Sequence, residues 1–319
     1  MKKIVIDTKG SDKGRETVVK GAVKALRTHE NLAIVLVGDK TLIEADLCEA
    51  QDLSSRIEII DAPDEITNYD SPAAALFTKP NSSLVRSLEA LSERDDLCGL
   101  ITAGNTGATI AGSIRYLSTE DRVRPALAAV LPAENGSFTC LVDTGATVDC
   151  PASTLLHFAR LGSDFMRDMY KIEAPRVALL SNGAEETKGN KVVKEAHAML
   201  KSEEGINFIG NVEGSNALTG VCDVVVCDGF AGNQVLKVTE GMARRIITDI
   251  VKYAKKTQNA EMMKLVGHLM SMYDISSLGG GIILGIRKPI IKARGSSGED
   301  AIVNISRMLI NLAENKSIY

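Results

Sequence analysis

The chain has no tryptophan, and aromatic residues make up only 4% of its 319 residues. That scarcity removes the stacking platforms on which proteins hold single-stranded nucleic acid. A basic excess is missing too: 37 Lys and Arg stand against 41 Asp and Glu, a net charge of −4, which argues against a nucleic-acid binder. No run approaches 18 consecutive apolar residues, so no membrane-spanning helix is expected. The N-terminus, MKKIVIDTKG, turns polar soon after its apolar stretch and reads as a first strand, with no signal peptide. The six cysteines (Cys48, Cys98, Cys140, Cys150, Cys222, Cys227) show no CxxC spacing. They are expected to be reduced thiols in a cytoplasmic protein, with no metal role.

Several catalytic signatures are also missing. There is no GxSxG elbow, no HExxH, no GxxxxGK[ST], and no GxGxxG after the first strand. Serine-hydrolase, zincin, P-loop and standard dinucleotide readings therefore have no motif to stand on. The four histidines (His29, His157, His197, His268) fall in predicted helices away from the Gly-rich turns, and read as surface or packing residues.

What is present is one pattern written four times: a short apolar run, a turn of small residues with Asn or Asp, then usually a helix. The turns are AGNTGA at 103–108, DTGA at 143–146, SNGAEETKGN at 181–190 and DGFAGN at 228–233. With 45% hydrophobic and 24% charged residues, this is the grammar of a soluble α/β protein with a largely parallel sheet. Strand tips that carry Gly-rich turns and helix N-termini concentrate free N–H groups, so the site is expected to be a phosphate-binding crevice.

Along the chain, strands are predicted at 3–6, 32–37 and 56–60, with helices at 16–28 and 83–92 and one long helix over 234–256. The stretch 61–82, punctuated by Pro63, Pro72 and Pro80, reads as irregular. No clean linker interrupts the sequence, so 1–319 is expected to form a single domain with a Met-rich helical excursion at about 255–285. There Met262, Met263, Leu265, Val266, Leu269, Met270 and Met272 recur at helical spacing, followed by a flexible run at 276–286. The spacing fits a helix packed on the core or on a dimer mate, and equally a projecting apolar hairpin.

The strand tips supply the candidate chemistry. The binding candidates are Gly10, Asp12, Gly104, Asn105, Thr106, Gly107, Thr144, Gly145, Gly189, Asn190, Gly229, Gly232, Arg294 and Ser296. Lys188 precedes a helix N-terminus, where its charge and the helix dipole act on the same anion; its other reading is a loop lysine paired with Glu185 or Glu186.

In their order, AGNTGA, RPALAAVLP (124–132), DTGATVDC (143–150), the EExKGN segment, INFIGNVEG (206–214), VVVCDGFAGN (224–233) and KARGSS (292–297) resemble the PlsX family of phosphate acyltransferases, from first strand to last helix. The resemblance implies a fold similar to isocitrate and isopropylmalate dehydrogenases and phosphotransacetylase, a three-layer α/β/α architecture, and a homodimer. It implies acyl phosphate formation from acyl-[acyl carrier protein] and inorganic phosphate without metal or nicotinamide. Peripheral membrane contact is also implied, and the acyl phosphate passes to a glycerol-3-phosphate acyltransferase in phospholipid synthesis. The sequence departs from the family at Lys9, where an apolar residue is usual, and at Arg294, where His is usual.

The expected mechanism needs no enzymic nucleophile, because phosphate itself attacks the thioester. Lys188 and Asn233 are the expected oxyanion donors with backbone amides, and Asp228 either orients Lys188 or is a turn residue. Arg244, Arg245, Lys252, Lys255 and Lys256 form a candidate docking face for an acidic carrier. Two alternatives stand beside this: a phosphoester- or carrier-binding module that has lost activity, and an NAD-linked decarboxylating dehydrogenase, for which no Arg cluster is found.

Overall fold

A computed structural model describes residues 1–119, 123–273 and 280–314. The chain divides into two compact units, one holding the described residues of 1–127, 168–171 and 276–319, the other those of 128–167 and 172–275.

In the first unit, β1 (Lys2–Asp7), α1 (Gly14–Thr28), β2 (Leu32–Gly38), α2 (Lys40–Asp46) and β3 (Ile57–Asp61) follow one another, then α3 (Pro72–Thr78), α4 (Ser83–Glu93), β4 (Leu97–Thr102) and α5 (Thr106–Leu117). β2 is buried along its whole length, as the run LAIVLVG requires of a strand covered on both faces, whereas β3 at the edge is only partly covered. Three helices begin at side-chain caps: Asp39, Ser82 and Asn105 accept the N–H of Leu42, Val85 and Ala108.

The chain then enters the second unit through β5 (Ala126–Pro132), β6 (Phe138–Val142), α6 (Ala152–Tyr170), β7 (Arg176–Leu180), α7 (Lys191–Ser202), β8 (Asn207–Val212), β9 (Val224–Val226), α8 (Gly229–Lys256) and α9 (Ala260–Tyr273). It returns with β10 (Gly281–Leu284), β11 (Ile290–Lys292) and α10 (Glu299–Glu314). The strand order is β3-β2-β1-β4-β11-β10 in the first unit and β5-β6-β9-β7-β8 in the second. All the pairings within these orders are parallel except β10 with β11 and β5 with β6. The fold is thus α/β with a mostly parallel sheet and helices on both sides, and each of the four predicted turns follows a strand and leads into a helix, with 106–108 and 229–233 already helical.

Three sequence expectations are corrected. The stretch 61–82 contains α3, because Pro72 at its first turn supplies a preset φ and has no N–H to leave unpaired. The long helix begins at Gly229, five residues earlier than its apolar pattern indicates, because Asp228 caps it. Within the run 276–286, residues 281–284 form a strand with Ile282, Ile283 and Leu284 buried. The rest of the Met-rich excursion is α9 as far as Tyr273, and 274–279 lie outside the described residues. Among the described residues no helix is long and apolar enough to cross a membrane.

Candidate functional site

In the first unit the turns after β1, β4 and β11 meet. Gly10, at φ +78°, packs so closely on Gly104 that a Cβ there would lie 2.7 Å from the Gly104 nitrogen, so only glycine fits. The Asp12 N–H donates to the Gly295 carbonyl at 2.9 Å, which ties the turn after β1 to the segment carrying Arg294. Lys292 Nζ donates to the carbonyls of Ala103 (3.0 Å) and Ala293 (2.7 Å), and Lys9 Nζ donates to Pro63 O. Asn105 caps α5, which starts with Thr106 and Gly107, and its amide also donates to Thr67 O at 3.0 Å. Ser297 closes the last turn by exchanging hydrogen bonds with the Arg294 backbone, and the binding candidate Ser296 beside it is exposed. Beneath the turns, burial pushes the Asp7 carboxyl above its ordinary range, against hydrogen bonds from the Thr102 hydroxyl (2.8 Å) and Lys9 N–H (3.1 Å) that favour the ionised form.

The second unit is built on the tips of β6, β7 and β9. The buried Asp143 accepts from the N–H groups of Gly145 (3.2 Å), Ala146 (3.0 Å) and Thr147 (2.6 Å), folding DTGAT around its carboxylate. The start of α8 lies against this turn: Gly229 N–H donates to Thr147 O at 2.7 Å, and Gly232 is pressed on the Asp143 carbonyl so tightly that no side chain could be accommodated. The Asn233 amide nitrogen lies 3.6 Å from where a side chain on Gly145 would begin, and its side chain is unpaired among the described residues. Asp228 accepts from Ala231 N–H at 2.7 Å, the helix-capping role, and makes no bond to Lys188.

The loop 181–190 after β7 presents Lys188. Gly189 N–H donates to Asn182 Oδ1 (2.8 Å), and Asn190 caps α7 through Val193 N–H (2.9 Å). The Lys188 stem lies over Gly183, and its exposed ammonium pairs with nothing among the described residues. Neither alternative partner is used: Glu186 pairs with Lys201 at 2.5 Å, and Glu185 contributes its carbonyl to the Lys188 N–H at 3.0 Å. A second donor to that carbonyl is the Asn211 side chain (2.9 Å), which also meets His197 Nδ1 at 2.9 Å. His197 is therefore not remote from the Gly-rich turns; the loop folds back over α7. The motif INFIGNVEG already marked Asn211, but nothing in a linear sequence says that its side chain reaches residue 185.

Beside this loop a pocket of about 920 Å³ opens in the second unit. Pro151, Leu155, Leu179, Leu180, Val193 and Val235 contribute to an apolar wall, while Asn182, Asn190 and Asp228 supply polar groups. Cys227 also lines it, and burial raises its thiol well above the ordinary value, so it is a packing residue and no nucleophile. The six cysteines are all free, and no group of three or more His, Cys, Asp or Glu among the described residues could hold a metal ion.

A family model described as fatty acid synthesis protein matches residues 2–318. The phosphate acyltransferase of Thermoanaerobacter pseudethanolicus is 38% identical over 98% of this chain and 94% of its own length. The chain belongs to the PlsX family of phosphate acyltransferases. A second family member, the phosphate acyltransferase of Caldanaerobacter subterraneus subsp. tengcongensis, is 39% identical over the same shares of the two chains. Among solved structures, a phosphotransacetylase from Streptococcus pyogenes has a TM-score of 0.65 at 16% identity, covering 98% of this chain and 94% of that one. A branched-chain phosphotransacylase from Enterococcus faecalis has a TM-score of 0.58 at 16% identity, covering 98% and 99%. At that identity the likeness is one of fold: the PlsX chain and the phosphotransacylases share an architecture.

Proposed function

We propose that this chain transfers an acyl group from acyl-[acyl carrier protein] to inorganic phosphate. A phosphate oxygen attacks the thioester carbonyl, the C–S bond breaks, and acyl phosphate and the carrier thiolate leave; the thiolate then takes a proton from water. Family membership supports the reaction class, and the observation that carries the reading is Lys188: an unpaired cation at the N-terminal approach to α7, beside an apolar pocket. Phosphate fills only a small part of about 920 Å³ and gains nothing from leucine and valine walls, whereas a fatty acyl chain gains about 0.8 kcal/mol for each methylene buried there.

Holding phosphate and thioester together supplies up to roughly 7–11 kcal/mol of the barrier in favourable cases. Lys188, Asn233 and the turn amides act as donors to phosphate and to the developing oxyanion, and Asp228 serves by fixing the start of α8. The thiolate leaves without a strong general acid.

The chain works as a cytoplasmic homodimer. α8 supports this with an exposed apolar row at Val238 (63%), Met242 (56%) and Ile246 (52%), at four-residue spacing on one face. Segment 255–285, where Met263 and Leu265 are exposed, makes peripheral membrane contact. The basic residues along the second half of α8 dock the acidic carrier, and the acyl phosphate goes on to a glycerol-3-phosphate acyltransferase.

The test is release of carrier thiol from palmitoyl-[acyl carrier protein] with and without phosphate, with acyl phosphate trapped by hydroxylamine. Phosphate-dependent release with trapped product, lost in Lys188→Ala, is the expected result. No phosphate-dependent release at any chain length would sink the reading.

A further inference from the structure

The loop that carries Lys188 is exposed over most of its length, yet one side chain from another strand reaches into it. Asn211, on β8, donates through Nδ2 to the Glu185 carbonyl at 2.9 Å. That bond orients the amide, so its Oδ1 faces His197 Nδ1 at 2.9 Å, and the imidazole must donate from Nδ1. His197 is 6% exposed and stands edge-on to Phe208, with ring centres 5.0 Å apart. Its other nitrogen lies 3.8 Å from the Glu186 carboxylate, which Lys201 also holds. The Glu185 carbonyl also accepts the Lys188 N–H at 3.0 Å and so closes the turn that presents the lysine.

One carbonyl is thus shared between the turn of Lys188 and a relay that runs through β8 to α7. We propose that Asn211 is a positioning residue for Lys188, itself held by His197. The proposal rests on the acyl-transfer reading given above. Without the clamp the 185–188 turn keeps its internal hydrogen bond and the exposed Glu186–Lys201 pair, and Lys188 samples positions from which it does not reach the reacting phosphate. A misplacement of this kind lowers the rate of the chemical step while leaving affinity for the bulky acyl carrier nearly intact.

The experiment is a double-mutant cycle between Asn211→Ala and Lys188→Ala, with hydrogen exchange measured on the same proteins. Asn211→Ala should lower kcat about tenfold or more, leave KM for the acyl carrier within about twofold, and add nothing further once Lys188 is gone. His197→Asn, which keeps an N–H at the Nδ1 position, should retain most of the turnover that His197→Leu loses. Exchange at the Lys188 and Gly189 amides should accelerate in Asn211→Ala. That last readout does not depend on the reaction, so an inactive wild type would overturn the acyl-transfer reading while exchange still decided the clamp. Additive losses in the cycle, or unchanged exchange over 185–190, would overturn the proposal.

Discussion

At the strand tips of the first unit two lysines are used internally: Lys292 donates to two carbonyls of neighbouring turns and Lys9 to a third. At the strand tips of the second unit Lys188 and Asn233 have no partner among the described residues, and a large pocket opens beside them. The same residue types on the same kind of turn thus do different work. A lysine bonded to carbonyls holds turns together; a lysine with nothing to bind is available to a ligand. On the acyl-transfer reading proposed above, Lys188 is a lysine left for a ligand, while Lys9 and Lys292 tie turns together.

Substituting both lysines tests that contrast most severely. Lys188→Ala should reduce phosphate-dependent turnover by about 10²- to 10³-fold and leave the melting temperature nearly unchanged. Lys292→Met should instead lower stability by about 2–3 kcal/mol, because two partly buried carbonyls lose their donor. If Lys292→Met cut turnover as deeply at unchanged stability, the division of labour would be wrong.

Next in size is the Arg176–Asp223 pair at the foot of β7. Burial alone would raise the Asp223 carboxyl, but the hydrogen bonds from Arg176, at 2.7 to 3.0 Å, win and hold it below its ordinary value. A depressed folded pKa gives stability that is complete above the unfolded value of about 3.9 and is lost as pH falls through the folded one. Asp223→Asn should therefore cost about 1–2 kcal/mol near neutrality, at the low end because Arg176 is 43% exposed, and the gap in melting temperature should close as the pH falls below about 4.

A smaller effect sharpens the assignment of the pocket. Val193→Phe should slow a sixteen-carbon acyl substrate about tenfold more than an eight-carbon one, as expected if roughly two methylenes lose their burial. Equal slowing of both chain lengths would place the chain elsewhere.

The smallest belongs to the first unit. Asp7 has a raised folded pKa, so its ionised form costs stability as pH rises above about 4. Asp7→Asn loses one acceptor but escapes that cost. The variant should move from less stable than wild type at pH 4 to within about 1 kcal/mol of it at pH 7, read by denaturant unfolding at the two pH values.

Much of the fold is legible from local rules. The strand at 32–37 and the four turns follow from apolar runs broken by small residues and Asx, because turn formation acts over three or four residues. The helix at 72–78 is hidden, since three prolines among polar residues mimic a loop when one of them in fact starts a helix. The role of Asp228 is open at the sequence level, and the geometry gives it to the cap. His197 escapes the same rules because periodicity assigns it to a helix face and cannot say which loop folds over that face.

Fold class, family and the four strand-tip turns are written along the chain itself, because burial pattern and motif order are local properties. Which lysine is free and which is bound, that Asn211 reaches Glu185, and that an apolar pocket stands next to Lys188 emerge only once the chain has folded. Hydrogen-bond partnership and cavity shape depend on residues far apart in sequence, and no local rule carries that information.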